Sequence, residues 1–178
     1  MGIPTLISTS TASNASAVSI TSGIDSTYDE YMFVFTDIGP ATDDVNFTFQ
    51  GNVDGGSGYN ETMTTTLFRA QHDEADSDTT LGYNTAQDQG QGSAFQILGG
   101  GLGNGADESL AGILHLFTPS NTTYITQFYS KTNFYHASNY TLNTFVSGYF
   151  NLTGAIDEIQ FKMSSGNFDG VIQLFGIS

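Results

Sequence analysis

The sequence predicts an all-β fold: an antiparallel β-sandwich, jelly-roll-like, with an extended N-terminal arm. Short runs of apolar, aromatic and β-branched residues recur along the chain, and turn-forming pairs such as Asp54-Gly55 and Asp169-Gly170 separate them. No window has the i, i+3, i+4, i+7 apolar spacing of a helix. Eight or more such strands favour a jelly roll, and an up-and-down barrel is the alternative.

The first part of the chain differs from the rest. Residues 1–27 are rich in Ser, Thr and Ala and are predicted to form an N-terminal arm or a first strand. Residues 5–20 carry little apolar surface, so we expect them to order only in an assembly. Residues 28–178 are predicted to form one β-sandwich domain, because no linker or repeat divides them.

The strands of this domain are predicted from their hydrophobic patterns. Residues 31–36 form an apolar and aromatic run typical of a strand buried on both faces, whereas residues 45–50 alternate as a half-buried strand does. Further strands are predicted at residues 63–70, 110–117, 124–130, 144–150, 158–162 and 170–177. Residues 73–105 are the longest stretch without a predicted strand, and we expect a long loop there.

The charge of the chain excludes one large class of partner. Eighteen acidic residues oppose three basic ones, Arg69, Lys131 and Lys162, which gives a net charge of −15. Nucleic-acid binding needs many cations to neutralise phosphates, and anionic membrane surfaces attract basic segments, so neither partner is expected. The acidity is typical of a soluble protein whose copies repel one another.

No motif in the sequence predicts catalysis or a cofactor. The histidines His72, His115 and His136 lie in no recognised catalytic pattern, and the chain has no cysteine. Neighbouring carboxylates occur at residues 43–44, 107–108 and 157–158, but adjacent residues of a strand point to opposite faces. We therefore expect a protein that is not an enzyme, with no catalytic, cofactor-binding or metal-binding residues.

One acidic turn leaves a Ca²⁺ site open as an alternative. Asp73, Glu74, Asp76 and Asp78 offer four carboxylates within six residues, the oxygen ligands that Ca²⁺ prefers. The spacing lacks the Asp-x-Asp-x-Asp-Gly pattern with a distal Glu. A solvated loop is the favoured interpretation.

Two stretches carry a resemblance to a known class of protein. Residues 31–44 (YMFVFTDIGPATDD) with residues 54–59 (DGGSGY), and the closing residues 159–177, resemble a module of tailed-bacteriophage virion proteins. The resemblance covers most of residues 25–178 and rests on turn and strand residues. The acidic, lysine-poor composition is similar to that of phages of marine bacteria. The resemblance implies a structural role in the particle and no catalytic residues.

These observations together lead to one functional expectation and one alternative. We expect a virion structural protein, a capsid decoration or cement protein that forms a homo-oligomer, expected to be a trimer, and binds the major capsid protein or other virion proteins. With no basic, apolar leader at its N-terminus, it is expected to be made in the host cytoplasm and to reside in the virion. The alternative is a tail-fibre or tail-appendage module for a host glycan, with stacking aromatics drawn from Tyr28, Tyr59, Tyr83, Tyr124, Phe134, Tyr135 and Tyr140.

Overall fold

The computed structural model describes residues 2–178, and all the regular structure in this part of the chain is β-strand. Twelve strands follow one another along the chain: β1 Pro4–Ala15, β2 Val18–Ile20, β3 Glu30–Pro40, β4 Val45–Val53, β5 Met63–Asp73, β6 Thr79–Tyr83, β7 Gln96–Leu102, β8 Leu110–Phe117, β9 Gln127–His136, β10 Tyr140–Phe150, β11 Ile156–Met163 and β12 Phe168–Ile177. Every strand pair is antiparallel. The predicted all-β fold is confirmed.

The strand order is that of a jelly-roll sandwich. One sheet contains β1-β12-β3-β8 and the facing sheet contains β2-β11-β4-β7, so the chain alternates between the sheets as two Greek keys require. A single bridge between Leu102 and His136 joins the two sheets at one corner. The sheets otherwise pack face to face, as in a sandwich rather than an up-and-down barrel.

Two insertions widen only one of the sheets. The pair β9–β10 follows β8, and the pair β5–β6 lies between β4 and β7 in the sequence. They add to the edge at β8, so the large sheet runs β1-β12-β3-β8-β9-β10-β5-β6. The small sheet has four strands and covers only part of the inner side of the large one.

Phenylalanine side chains from both sheets form the core, and Phe161 of β11 lies at its centre. Its ring centroid is 5.4 Å from that of Phe33 and 5.2 Å from that of Phe35, both on β3 of the opposite sheet. The rings of Phe47 and Phe49, on the neighbouring strand β4, lie 5.9 and 6.4 Å away. All five side chains are buried. Edge-to-face and offset contacts of this kind contribute about 0.5–1.5 kcal/mol per pair beyond the area they bury.

Residues 4–15 are a strand, which fits the alternative of a first strand. The backbone of β1 pairs with β12 from Pro4–Ile177 to Ala15–Phe168, with shifts in register after Leu6 and Ala12. The sequence predicts that these residues order only in an assembly, but the structure orders them on their own chain. Backbone hydrogen bonds to the edge of β12 replace the side-chain burial that the segment lacks. Val18–Ile20 forms a second short strand beside β11.

The long loop predicted at residues 73–105 contains two strands, so this prediction was wrong. β7 runs through Gly99, Gly100 and Gly101, where small residues are needed for close packing. A Cβ atom on Gly99 would lie 2.6 Å from the Leu110 side chain. β6 is almost wholly exposed and so has no hydrophobic alternation to predict it.

Candidate functional site

The sandwich leaves one broad apolar surface without a covering layer, on the side of the large sheet that faces away from the small one. We call it the outer face. Its apolar and ionisable side chains come from all eight strands of the large sheet: Leu6, Phe175, Glu30, Met32, Val34, Ile113, His115, Phe117, Tyr129, Lys131, Phe145, Phe68, Leu81 and Tyr83. Uncharged polar side chains lie beside them on the same face, including Thr9, Gln173, Thr66, Ser147, Asn133 and Asn143. On the strands that face the small sheet, the neighbours of these residues, such as Phe33, Phe35 and Leu114, fill the core, because successive side chains of a strand point to opposite sides.

The register of the strands brings these side chains into two adjoining rows. One row crosses five strands through Leu6, Phe175, Met32, His115 and Tyr129. The other crosses six strands through Val34, Ile113, Lys131, Phe145, Phe68 and Tyr83. Paired strands lie ~4.8 Å apart, so the apolar groups form one continuous surface.

Aromatic stacking fixes the shape of the outer face over the inserted strands. The rings of Phe68 and Phe145 stack with their centroids 4.7 Å apart and their planes 8° from parallel. The Lys131 ammonium nitrogen lies 5.5 Å from the centre of the Phe145 ring, within the range of a cation–π contact. A stacked pair of this kind presents a flat and rigid surface.

A histidine–carboxylate contact lies beside aromatic rings at one end of the outer face. His115 Nδ1 contacts Glu30 Oε1 across strands β8 and β3. The imidazole of His115 stacks on Tyr129 at 4.6 Å, and Tyr129 lies 5.7 Å from Phe117. His115 is therefore a buried structural residue, held by a carboxylate on one side and a phenol ring on the other.

Several large apolar side chains of the outer face are exposed to solvent. Leu81 is 74% exposed, Tyr83 54%, Phe68 43% and Tyr129 41%. Among the large hydrophobic side chains exposed within residues 2–178, those outside this face are Ile3 and Tyr124. Contiguous exposed apolar surface of this kind marks interaction sites.

The outer face is poor in charge although the protein is strongly acidic. Of the 18 acidic residues of the chain, it holds Glu30, whose carboxylate bonds to His115, and Asp107 borders it beside Asn133 and Thr141. The other acidic residues lie in turns and loops, near strand ends or on β11. Carboxylates that meet across an interface repel one another. On a chain of net charge −15, a surface with few carboxylates is therefore the one best suited to contact another acidic surface.

The outward side of the small sheet has the opposite character. Its paired positions are polar or charged: Thr48 with Lys162, Gln50 with Gln160, and Asn52 with Glu158. Loop segments cover part of it, because Gln50 Nε2 donates to the backbone carbonyls of Glu61, Ser93 and Ala94 at 3.1–3.2 Å. The contrast between the two sides of the sandwich makes the outer face the candidate functional site.

The prediction that residues 31–36 are buried on both faces was wrong. The same run nevertheless includes two residues of the outer face. The run predicts a strand buried on both faces, but only Tyr31, Phe33 and Phe35 point into the core. Met32 and Val34 lie on the outer face and are half-buried. A strand with apolar residues on both sides therefore fits two structures. Either both faces of its sheet are covered, or one face is an exposed apolar surface.

The acidic turn at residues 73–78 uses its carboxylates to hold its own backbone. Asp73 Oδ1 accepts hydrogen bonds from the amides of Ser77 and Asp78 at 2.8 and 2.9 Å. Hydrogen bonds from the Ser77 hydroxyl and from these amides lower the pKa of the Asp73 carboxyl. Asp78 accepts from Gln71, and Asp76 contacts His72. Within residues 2–178 no group of three or more His, Cys, Asp or Glu side chains is arranged to hold a metal ion.

The other acidic pairs lie in separate places. Asp107 and Glu108 line an open pocket of about 420 Å³ together with Asp37 and Asp169. Glu108 Oε2 accepts the amide hydrogen of Gly105 and so closes its own loop. No histidine, lysine or arginine lines this pocket.

Asp157 lies elsewhere, at the start of β11, beside the exposed Asp54. Burial, followed by the charge of Asp54, raises the pKa of the Asp157 carboxyl. Asp43, of the remaining acidic pair, accepts a hydrogen bond from the amide of Asn104.

The three histidines are spread over β5, β8 and β9. His72 contacts Asp76 at 3.1 Å on the surface, and His115 pairs with Glu30. His136 Nδ1 accepts a hydrogen bond from the Ser138 amide, and burial lowers the pKa of its imidazole.

The aromatic residues considered for glycan stacking do not gather on one surface. Phe134 is in the core, and Tyr28 packs edge-on against Tyr31. Tyr59 donates to Glu158, and Tyr135 donates to Asn139. Tyr140 packs edge-on against His136. Tyr83 lies on the outer face, and Tyr124, which is 71% exposed, lies in the β8–β9 loop.

Comparisons of the chain with protein-family models, curated proteins and solved structures gave no match. Residues 2–178 contain no helix that is long and apolar enough to cross a membrane.

Proposed function

We propose that this chain is a non-enzymatic structural protein of a bacteriophage virion, a capsid decoration or cement protein that binds the outer shell and stabilises it. The observation that supports an assembly role best is the outer face: a contiguous, charge-poor, aromatic surface on a chain with a net charge of −15. Such a surface is costly to leave in water, because apolar area gains ~25 cal/mol per Å² on burial.

The build of the domain also supports a structural role. A jelly-roll sandwich with a phenylalanine core is a rigid unit, and in an assembly its free edges β1 and β6 are open to further contacts. Among the side chains considered for chemistry, Asp73 and Glu108 bond to their own turns and His115 bonds to Glu30, in separate parts of the fold. The resemblance of residues 31–44, 54–59 and 159–177 to virion modules gives the proposal its particular setting, the phage particle.

Electron microscopy of the particle tests the proposal. We expect density for the 19.0 kDa domain over the capsid shell. Density confined to the tail would overturn the decoration role.

The tail-appendage alternative receives support from one observation, the exposed Tyr124 in the β8–β9 loop. A tyrosine ring presented to solvent is a suitable stacking face for a sugar. A glycan array separates the two proposals: binding that is lost on Tyr124→Ala favours host recognition, and no binding to any glycan removes it.

A further inference from the structure

We infer that a second copy of this chain covers the outer face. The inference rests on the proposed function in one respect, that the outer face serves assembly. It goes further because it names the partner that covers this face. Three properties of the face carry it: its size, its charge and the character of the remaining surface.

The size of the outer face suits a stable contact between protein copies. Its eight strands lie ~4.8 Å apart, which gives a width of roughly 34 Å. Four outward positions along a strand, each ~6.8 Å from the next, span about 20 Å. The whole face, with its polar positions included, therefore has a projected area of roughly 700 Å², close to the ~800 Å² that each partner buries in an interface of standard size.

The charge of the face points to a partner that is itself acidic. A basic partner would be attracted to the carboxylates of the loops and of β11, and it would not need a surface from which acidic groups are missing. A copy of this chain carries the same net charge of −15 and can approach closely only where carboxylates are few. The two apolar rows of the outer face meet this condition, since Glu30 beside them bonds to His115 and Asp107 lies at the far end of the face, near Tyr135.

The remaining surface makes the outer face the best place for such a contact. The outward side of the small sheet carries Glu158 and is partly covered by loops. At one end of the sandwich, the carboxylates of Asp37, Asp107, Glu108 and Asp169 line a pocket and would repel another acidic chain. Phe68, Tyr83 and Tyr129 supply the kind of aromatic side chain on which contact energy concentrates.

Sedimentation velocity on charge variants tests the inference. The face variant is Leu81→Glu with Tyr129→Glu, which places negative charge on two exposed outward positions. The control is Ser19→Glu with Ser165→Glu, which adds the same charge at exposed positions on β2 and in the β11–β12 turn. Far-ultraviolet circular dichroism establishes that each protein is folded. Should the double variant unfold, Leu81→Glu alone replaces it, because that side chain is 74% exposed and outside the core.

We expect the wild type and the control to sediment as oligomers and the face variant as a monomer, with a dissociation constant raised ~100-fold or more. A monomeric wild type at every concentration, or a face variant that associates as the wild type does, would overturn the inference. Co-sedimentation with undecorated capsids is a separate readout. An oligomer that binds no capsid supports the inference and contradicts the decoration role. A monomer that binds capsid contradicts the inference and supports the decoration role.

Discussion

Phe68 on β5 and Phe145 on β10 lie directly opposite each other in the sheet and stack with ring centroids 4.7 Å apart, yet Phe68 remains 43% exposed. Two aromatic rings are thus aligned on the side of the sheet that has no covering layer. Their stacking holds a flat apolar surface in place before any partner arrives. Such preorganisation reduces the entropy that association costs.

The two sides of the large sheet should respond differently to truncation. Phe161→Ala removes a ring that contacts four others in the core, so we expect a loss of about 3–5 kcal/mol in the free energy of unfolding. Phe68→Ala, on the outer face, should cost less in the monomer, about 1–2.5 kcal/mol, since it loses one stacked pair and a side chain that is only partly buried. Urea unfolding followed by tyrosine fluorescence measures both. Equal losses would contradict the assignment of core and outer face.

The fold was predictable to the extent that hydrophobic patterns reflect burial. Strand β3 was predictable from its unbroken apolar and aromatic run, and strand β8 from the alternation of Leu110, Leu114 and Leu116 with their neighbours. Strand β1 was missed as an ordered element because its pairing with β12 depends on backbone hydrogen bonds, which leave no mark on side-chain pattern. Strand β7 was missed because its glycines serve close packing.

The candidate site was less predictable than the fold. Phe68 and Phe145 are 77 positions apart in the sequence and meet only through the register of β5 and β10. Both rings lie on the side of the large sheet that faces away from the small sheet, and no local pattern reveals which side of a strand stays uncovered. The apolar residues Met32 and Val34 were visible in the sequence, but they fit a covered strand equally well.

Asp157 should make stability depend on pH in a defined direction. Burial raises the pKa of its carboxyl in the folded state, so the folded protein binds a proton more readily than the unfolded chain. Below the pKa of about 3.9 that an aspartate has in the unfolded chain, the carboxyl is protonated in both states and costs no stability. The loss of stability develops as the pH rises through the pKa that Asp157 has in the folded protein. We therefore expect Asp157→Asn to be more stable than the wild type at neutral pH and equally stable in acid.

Thermal melting across a pH series measures this difference. Asp29→Asn, which removes the same charge from an exposed loop, is the matched control. A gain for Asp157→Asn no larger than that of the control, at every pH, would refute the role of burial.

Salt should strengthen association. Copies with a net charge of −15 repel one another, and the Debye length falls from ~30 Å at 0.01 M to ~8 Å at 0.15 M salt. Sedimentation in a sodium chloride series should show tighter oligomers or tighter particle attachment as salt rises. Steady weakening would mean that attractive ion pairs dominate the contact, although only Arg69, Lys131 and Lys162 supply cations.

Strand β1 should resist proteolysis in the free protein as well as in the assembly. Its backbone is paired with β12 along most of residues 4–15, and Ala12 is buried. Elastase, which cleaves after small residues, should therefore remove this segment no faster from free protein than from assembled protein. Early clipping confined to the free form would support an arm that orders only on assembly.

Hydroxyl-radical footprinting of free and assembled protein tests the central claim most directly, because it reads side-chain exposure without assuming a partner. Phe68, Leu81, Tyr83 and Tyr129 are exposed on the outer face, and Tyr124 is an exposed control in the β8–β9 loop. We predict that the four outer-face side chains become protected from oxidation on assembly while Tyr124 keeps its reactivity. Unchanged oxidation of all four, with protection at other surfaces, would contradict it.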